Sequence, residues 1–149
     1  MMGCTDRHCR VLFRLLSPNT MLYSEMITTG ALIHGDYQKF LEHTKDGASA
    51  IQLGGSDPDQ LAKASKLVED AGYQEVNLNC GCPSDRVQQG GIGACLMAEP
   101  SRVAQCYEAM AEAVSIPVTI KTRIGIDDHD EYEYFRSFIK ESYDAGCRN

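Results

Sequence analysis

Four short stretches rich in apolar and β-branched residues punctuate this chain: MLYSEMIT (21–28), ASAIQLGG (48–55), EVNLNC (75–80) and IPVTIKTRIG (116–125). Segments with helical spacing separate them. A strand–helix–strand alternation of this kind implies a parallel sheet with helices packed outside it. The helical segments carry start and stop signals. Thr5 reads as the cap of a helix over Asp6–Leu16, with Val11, Leu12, Leu15 and Leu16 on one face. A short helix is expected around Tyr37–Glu42. Ser56 or Asp57 caps a helix with Pro58 in its first turn, an apolar face of Leu61, Ala64, Leu67, Val68 and Ala71, and Gly72 at its end. Pro100 opens another, with Val103, Tyr107, Met110 and Val114 at helical spacing. The last covers roughly Glu131–Ala145, with Phe135, Phe138, Ile139 and Ser142 on one side.

Two α/β architectures satisfy this alternation, an open doubly wound sheet and a β/α barrel. The first calls for a glycine-rich dinucleotide fingerprint after an early strand, and GxGxxG is absent; Gly54-Gly55-Ser56-Asp57-Pro58 does not fit it. The distinctive polar residues lie instead at the C-terminal ends of several strands: Glu25, Gln52, Asn79 with Cys82, and Lys121 with Arg123. A barrel builds its active site on that face. The expectation is therefore a partial TIM-type (β/α)8 barrel. Eight units take roughly 250 residues. The 149 residues here hold four or five, about the first five units of a barrel.

The balance of 14 basic to 21 acidic residues gives a net charge of −7, which argues against a strongly basic nucleic-acid-binding face within this segment. Seven cysteines, an odd number at irregular spacing, favour a reducing cytosol over a disulfide framework. No stretch approaches the roughly 20 apolar residues of a membrane helix. The opening MMGCTDRH reads as part of a structured element with no leader.

Cys82 follows a strand end in Gly-Cys-Pro-Ser, which puts a thiol on a stiffened loop at the catalytic face. A buried structural cysteine is the competing reading. Cys80 lies within the strand, and alternation with Asn79 points it to the other side. Cys80, Cys82 and Cys95 lack the paired C-x₂-C spacing and the nearby histidine of a zinc site, so no metal is expected. Lys121 is a lone cation in a strand and needs a ligand, an anion or solvent. Gln52 and Asn79 are polar side chains in apolar strands and need partners. Glu25 pairs with a cation or braces the interior. His8 and Cys9 read as a packed cap, Asp127–Asp130 as an acidic cap of the next helix, and His34 and His43 as surface residues.

Six stretches taken together carry a family resemblance: TDRHCR (5–10), YSEMITTGA (23–31), IQLGGSDP (51–58), NLNCGCPSDRVQQGG (77–91), GACLM (93–97) and VTIKTRIGIDD (118–128). In order and spacing they resemble the tRNA-dihydrouridine synthases, in their bacterial A-type branch, along essentially the whole chain. The resemblance implies an FMN-carrying β/α barrel followed by a small helical tRNA-binding domain. It implies NADPH as electron donor and specific uridines of the tRNA D-loop as substrate. The family's proton-donor cysteine falls on Cys82, its flavin-contacting glutamine on Gln52 and its lysine on Lys121. The asparagine at the flavin–uracil site falls on Asn79, and Arg86 and Arg123 are candidates for RNA or flavin contacts. Of the Pro-Met turn under the flavin, Met1 and Met2 remain, and Gly3-Cys4 stands where A-type members carry Asp-Trp. The later barrel units and the helical domain are expected to lie outside these residues. A cytoplasmic enzyme, monomeric in full-length form, with neither metal nor membrane, is the implied setting.

The chemistry agrees with this resemblance. Saturating the C5–C6 bond of uracil takes a hydride at one carbon and a proton at the other. The acid must keep its proton near neutral pH; a thiol, ordinarily near pKa ~8.5, does so where a carboxylic acid would be ionised. Lys121 suits negative charge developing on a flavin ring. Two alternatives remain at this level: a flavin barrel reducing a free pyrimidine, and an inactive or RNA-binding fragment. The DRVQQGGIGACLM run speaks against the first, and the charge of −7 against autonomous RNA binding.

Overall fold

The computed structural model describes residues 4–42 and 47–149. Its sheet has four parallel strands, β1 (Leu22–Thr28), β2 (Ser49–Gly54), β3 (Glu75–Cys80) and β4 (Val118–Thr122), in the spatial order β1-β2-β3-β4. Each strand lies beside its neighbour in sequence, and the order never reverses. A doubly wound sheet reverses at a switch point; this one advances in a single direction, as the strands of a barrel do. The partial barrel expected from the alternation is what forms.

Right-handed crossovers on a sheet that always advances one way place their helices on one side. The helices are α1 (Arg7–Leu16), α2 (Thr29–His34), α3 (Tyr37–Leu41), α4 (Pro58–Asp70), α5 (Asp85–Gln89), α6 (Pro100–Ala113) and α7 (Tyr132–Asp144), with a 3₁₀ segment over Gly93–Ala98. Helices α2, α4, α6 and α7 pack in succession. Between them and the sheet lies the apolar core. Ile51, Leu53, Val76, Leu78 and Cys80 meet Leu61, Ala64, Val68, Val103, Cys106 and Met110, all fully buried. The faces assigned to α4, α6 and α7 hold, except that Ile139 is exposed. None of the described helices is long and apolar enough to cross a membrane.

Two local expectations, both of helix caps, are corrected, and one apolar stripe is found exposed. Asp6, not Thr5, caps α1: its Oδ1 accepts from the Cys9 amide at 2.8 Å. The apolar stripe of α1 does not face the sheet, since Leu12, Leu15 and Leu16 are 55%, 79% and 75% exposed. Polar anchoring sets the orientation of this helix. Arg10 is the buried residue, with Nη2 donating to the Tyr73 hydroxyl at 3.3 Å. Arg14 donates to the carbonyls of Ser17, Pro18 and Ala48. The acidic loop does not cap α7. Glu131 occupies the cap position without a side-chain bond, and the loop closes on itself through an Ile126–His129 bridge. His129 then stacks on Tyr134 with ring centroids 5.1 Å apart. At α4 the choice between Ser56 and Asp57 resolves to Asp57, which accepts from the Gln60 amide at 2.9 Å.

Candidate active site

β3 runs out at Cys80, and Gly81, Cys82, Pro83 and Ser84 lead into α5. The amide and carbonyl of both Gly81 and Cys82 are engaged, as is the Pro83 carbonyl. Asn79 Oδ1 accepts from the amides of Gly81 at 3.1 Å and Cys82 at 2.9 Å, an Asx turn that folds the chain back over the strand end. Arg123 Nε donates to the Gly81 carbonyl at 2.7 Å, and the Ala94 amide donates to the Cys82 carbonyl at 2.9 Å. Gln88 Nε2 donates to the Pro83 carbonyl at 2.8 Å. Two glycines make the approach possible. A Cβ on Gly81 would lie 2.8 Å from Lys121 Nζ. A Cβ on Gly93, whose φ is +82°, would lie 2.6 Å from the Cys82 carbonyl oxygen. The loop is thus a rigid mount, and the half-buried Cys82 side chain is what it presents.

Cys80 faces the opposite way. It is fully buried in the apolar core, and desolvation pushes its thiol up to about 12. It is a packing residue. The alternation in EVNLNC turns Cys80 away from the face of Asn79, as expected.

The concave face of the sheet carries a row of polar side chains. Gln52 sits opposite Asn77 in the β2–β3 register, and Lys121 opposite Asn79 in the β3–β4 register. Gln52 Nε2 donates to Asn77 Oδ1 at 2.8 Å, and Asn79 Nδ2 donates to Gln52 Oε1 at 2.6 Å. An amide side chain has four bonding positions, so Gln52 keeps capacity toward a ligand after these two. Asn77 Nδ2 donates to Thr119 Oγ1 at 2.8 Å. Thr119 at 2.7 Å and Tyr23 at 2.8 Å both donate to Glu75 Oε1. Burial first, and the Glu75 bond second, push the Tyr23 phenol up to about 12, so it serves as a donor. Sequence reasoning found Gln52, Asn79 and Lys121 and missed Asn77, Glu75, Thr119 and Tyr23. The signal was available in part: residues 75, 77 and 79 of EVNLNC are all polar and share a face.

Of the other expected residues, Arg86 is exposed on α5, just beyond the loop, and is not part of the row. Arg123 clamps the loop backbone. Glu25 is half-buried and lines a separate cleft beside α1 with Arg7, Arg10 and Lys39. Met1, with Met2, lies outside the described residues, as does His43.

Gln52, Asn77, Thr119, Glu75, Tyr23 and Lys121 of this row line a hollow of about 810 Å³ on the concave side. That size suits a cofactor or drug-sized molecule. A flat heterocycle with carbonyl and N–H edges needs donors and acceptors on one wall. Lys121 and the remaining capacity of Gln52 supply both, so the residues present fit a flavin ring.

Residues 1–149 match the family model described as Dihydrouridine synthase (Dus). The chain is 57% identical over its whole length to the tRNA-dihydrouridine(20/20a) synthase of Pseudomonas putida, covering 45% of that protein. It is 60% identical to the protein of that name in Escherichia coli K12 over 93% of this chain and 40% of that protein. With the Vibrio parahaemolyticus protein of the same name it shares 55% identity over 99% of its length and 45% of the relative. The chain spans less than half the length of these relatives.

Proposed function

The chain belongs to the dihydrouridine synthase family, and on that premise we propose that it forms part of a flavin-dependent enzyme reducing uridines of the tRNA D-loop to dihydrouridine. The observation that carries this reading is the mount of Cys82. A half-buried thiol stands on a loop whose backbone is held by Asn79 and whose Gly81 lies against Lys121, at the C-terminal rim of a barrel sheet. The relatives named for this activity support the substrate class.

Each residue then has a task. Cys82 holds the proton and delivers it to the uracil carbon that does not receive hydride. Lys121 and Gln52 hold the flavin by its polar edge. Reduced FMN bound there supplies the hydride, and NADPH supplies the electrons. Lys121 adds a fixed positive charge where negative charge develops. Asn79 keeps the thiol in place and faces the uracil. Arg86, on the exposed side of the loop, meets the RNA; the target uridine must leave its stack to reach Cys82. The remaining barrel units and a helical tRNA-binding domain complete the enzyme, which works as a monomer in the cytoplasm without metal. All seven cysteines are free thiols, in keeping with a reducing compartment.

The test is Cys82→Ala in the longer protein that carries this sequence. The variant should retain its flavin absorbance and lose dihydrouridine formation by about 10²- to 10⁴-fold, the usual worth of a positioned general acid. Turnover at the unsubstituted rate would remove Cys82 from the acid role.

A further inference from the structure

We propose that Glu75, at the far end of β3, is a positioning residue that fixes the orientation of the Asn79 amide and through it the loop carrying Cys82. The geometry is a hydrogen-bonded chain whose donors all point one way. Gly81 and Cys82 donate to Asn79, Asn79 to Gln52, Gln52 to Asn77, Asn77 to Thr119, and Thr119 to Glu75. Every link is between 2.6 and 3.1 Å.

This uniform direction has a cause. An ionised carboxylate only accepts. Glu75 Oε1 takes the hydroxyl protons of both Tyr23 and Thr119. Thr119 has then spent its single proton, so its oxygen must accept, and Asn77 must turn its NH₂ toward it. Asn77 thereby presents its carbonyl to Gln52, which answers with its NH₂ and leaves Oε1 for Asn79. Asn79 must bond with its NH₂, which leaves Oδ1, the only atom of that amide able to receive the two loop amides. Flipping any one amide would set like against like within a row that is buried except at the half-buried Gln52, and chains of this kind strengthen cooperatively. Asn77, Asn79, Thr119 and Glu75 are all buried, so water does not readily take their places. The effect travels about 13 Å along the strand, from residue 75 to residue 79.

The inference rests on the proposed role of Cys82 only for its bearing on the reaction; the loop's conformation is read without turnover. The experiment is site-resolved amide hydrogen exchange on this chain, comparing Gly81 and Cys82 with the ladder amides of Leu53 and Leu78. Glu75→Met, which keeps bulk and removes the acceptor, should speed exchange at Gly81 and Cys82 by about fivefold to tenfold while the ladder amides stay protected. Thr119→Val breaks the chain one link along and should act alike if Glu75→Met fails to fold. Thr119→Ser keeps the hydroxyl and should restore protection. Unchanged exchange at Gly81 and Cys82 would overturn the proposal. So would an equal acceleration throughout the sheet, because Glu75 would then be supporting the fold and not the loop. Loss of the Cys82 role with this pattern intact would sink the functional reading alone.

Discussion

Val76, Leu78 and Cys80 point from β3 into the helical layer, while Glu75 and Asn77 line the hollow and Asn79 bonds to Gln52 on the same face. All six are buried, and they alternate within one six-residue string. The outer three are held by apolar contact, which is non-directional and tolerates small shifts of a neighbour. The inner three are held by bonds that each require a particular atom on a particular neighbouring strand. Burial alone therefore says little about function; one face stabilises the sheet, and the other uses that stability to orient a loop.

The widest gap between the faces should come from the outer side. Leu78→Ala removes a fully buried side chain and should lower unfolding free energy by about 2–5 kcal/mol, read from urea midpoints. A cost below that of any inner substitution would reverse the comparison. On the inner side, Asn77→Leu is similar in size but leaves Gln52 and Thr119 without their partner. We expect a loss of about 1–3 kcal/mol, together with selective loss of protection at Cys82. A neutral outcome would mean that the row rearranges freely and lacks direction.

A smaller effect separates the faces by pH. Tyr23 keeps its proton more firmly when folded, with burial first and Glu75 second raising it from 10 to about 12. Its contribution is therefore fully present below pH 10 and is lost as pH climbs through 10 toward 12. Tyr23→Phe should flatten the stability curve in that window alone, as measured by denaturant midpoints across the range. Parallel curves for the two chains would remove Tyr23 from the row. The least effect is expected off the sheet. Leu15 is 79% exposed on α1, and Leu15→Gln should change stability by no more than about 0.5 kcal/mol.

The difference between the faces also explains what could be read in advance. Hydrophobic spacing alone picks out Leu61, Val68, Val103 and Met110, because burying an apolar residue needs no particular partner. Gln52, Asn79 and Lys121 stood out as polar residues in apolar strands, and all three lie on the concave wall. Thr119 and Glu75 did not, because their meaning depends on inter-strand register, which a single sequence does not display. The exposure of the α1 stripe has a related reason: a row of leucines marks an apolar surface without saying that anything covers it. Asp6 and Thr5 are adjacent and both able to cap, so only the local backbone decides between them.

The sequential strand order also bears on how the chain emerges during synthesis. Leu22 pairs with Ser49 and Ala50 with Glu75, so β2 and β3 can each dock soon after they are made. Val76 must wait for Val118, the longest delay in the sheet. At translation rates of about 5–20 residues per second, that wait lasts a few seconds. Throughout it, β3 has a neighbour on one side only, and Asn77 and Glu75 face water where Thr119 will later stand. The row that holds the Cys82 loop is therefore completed only when β4 arrives, and the loop acquires its shape only after the sheet beneath it exists.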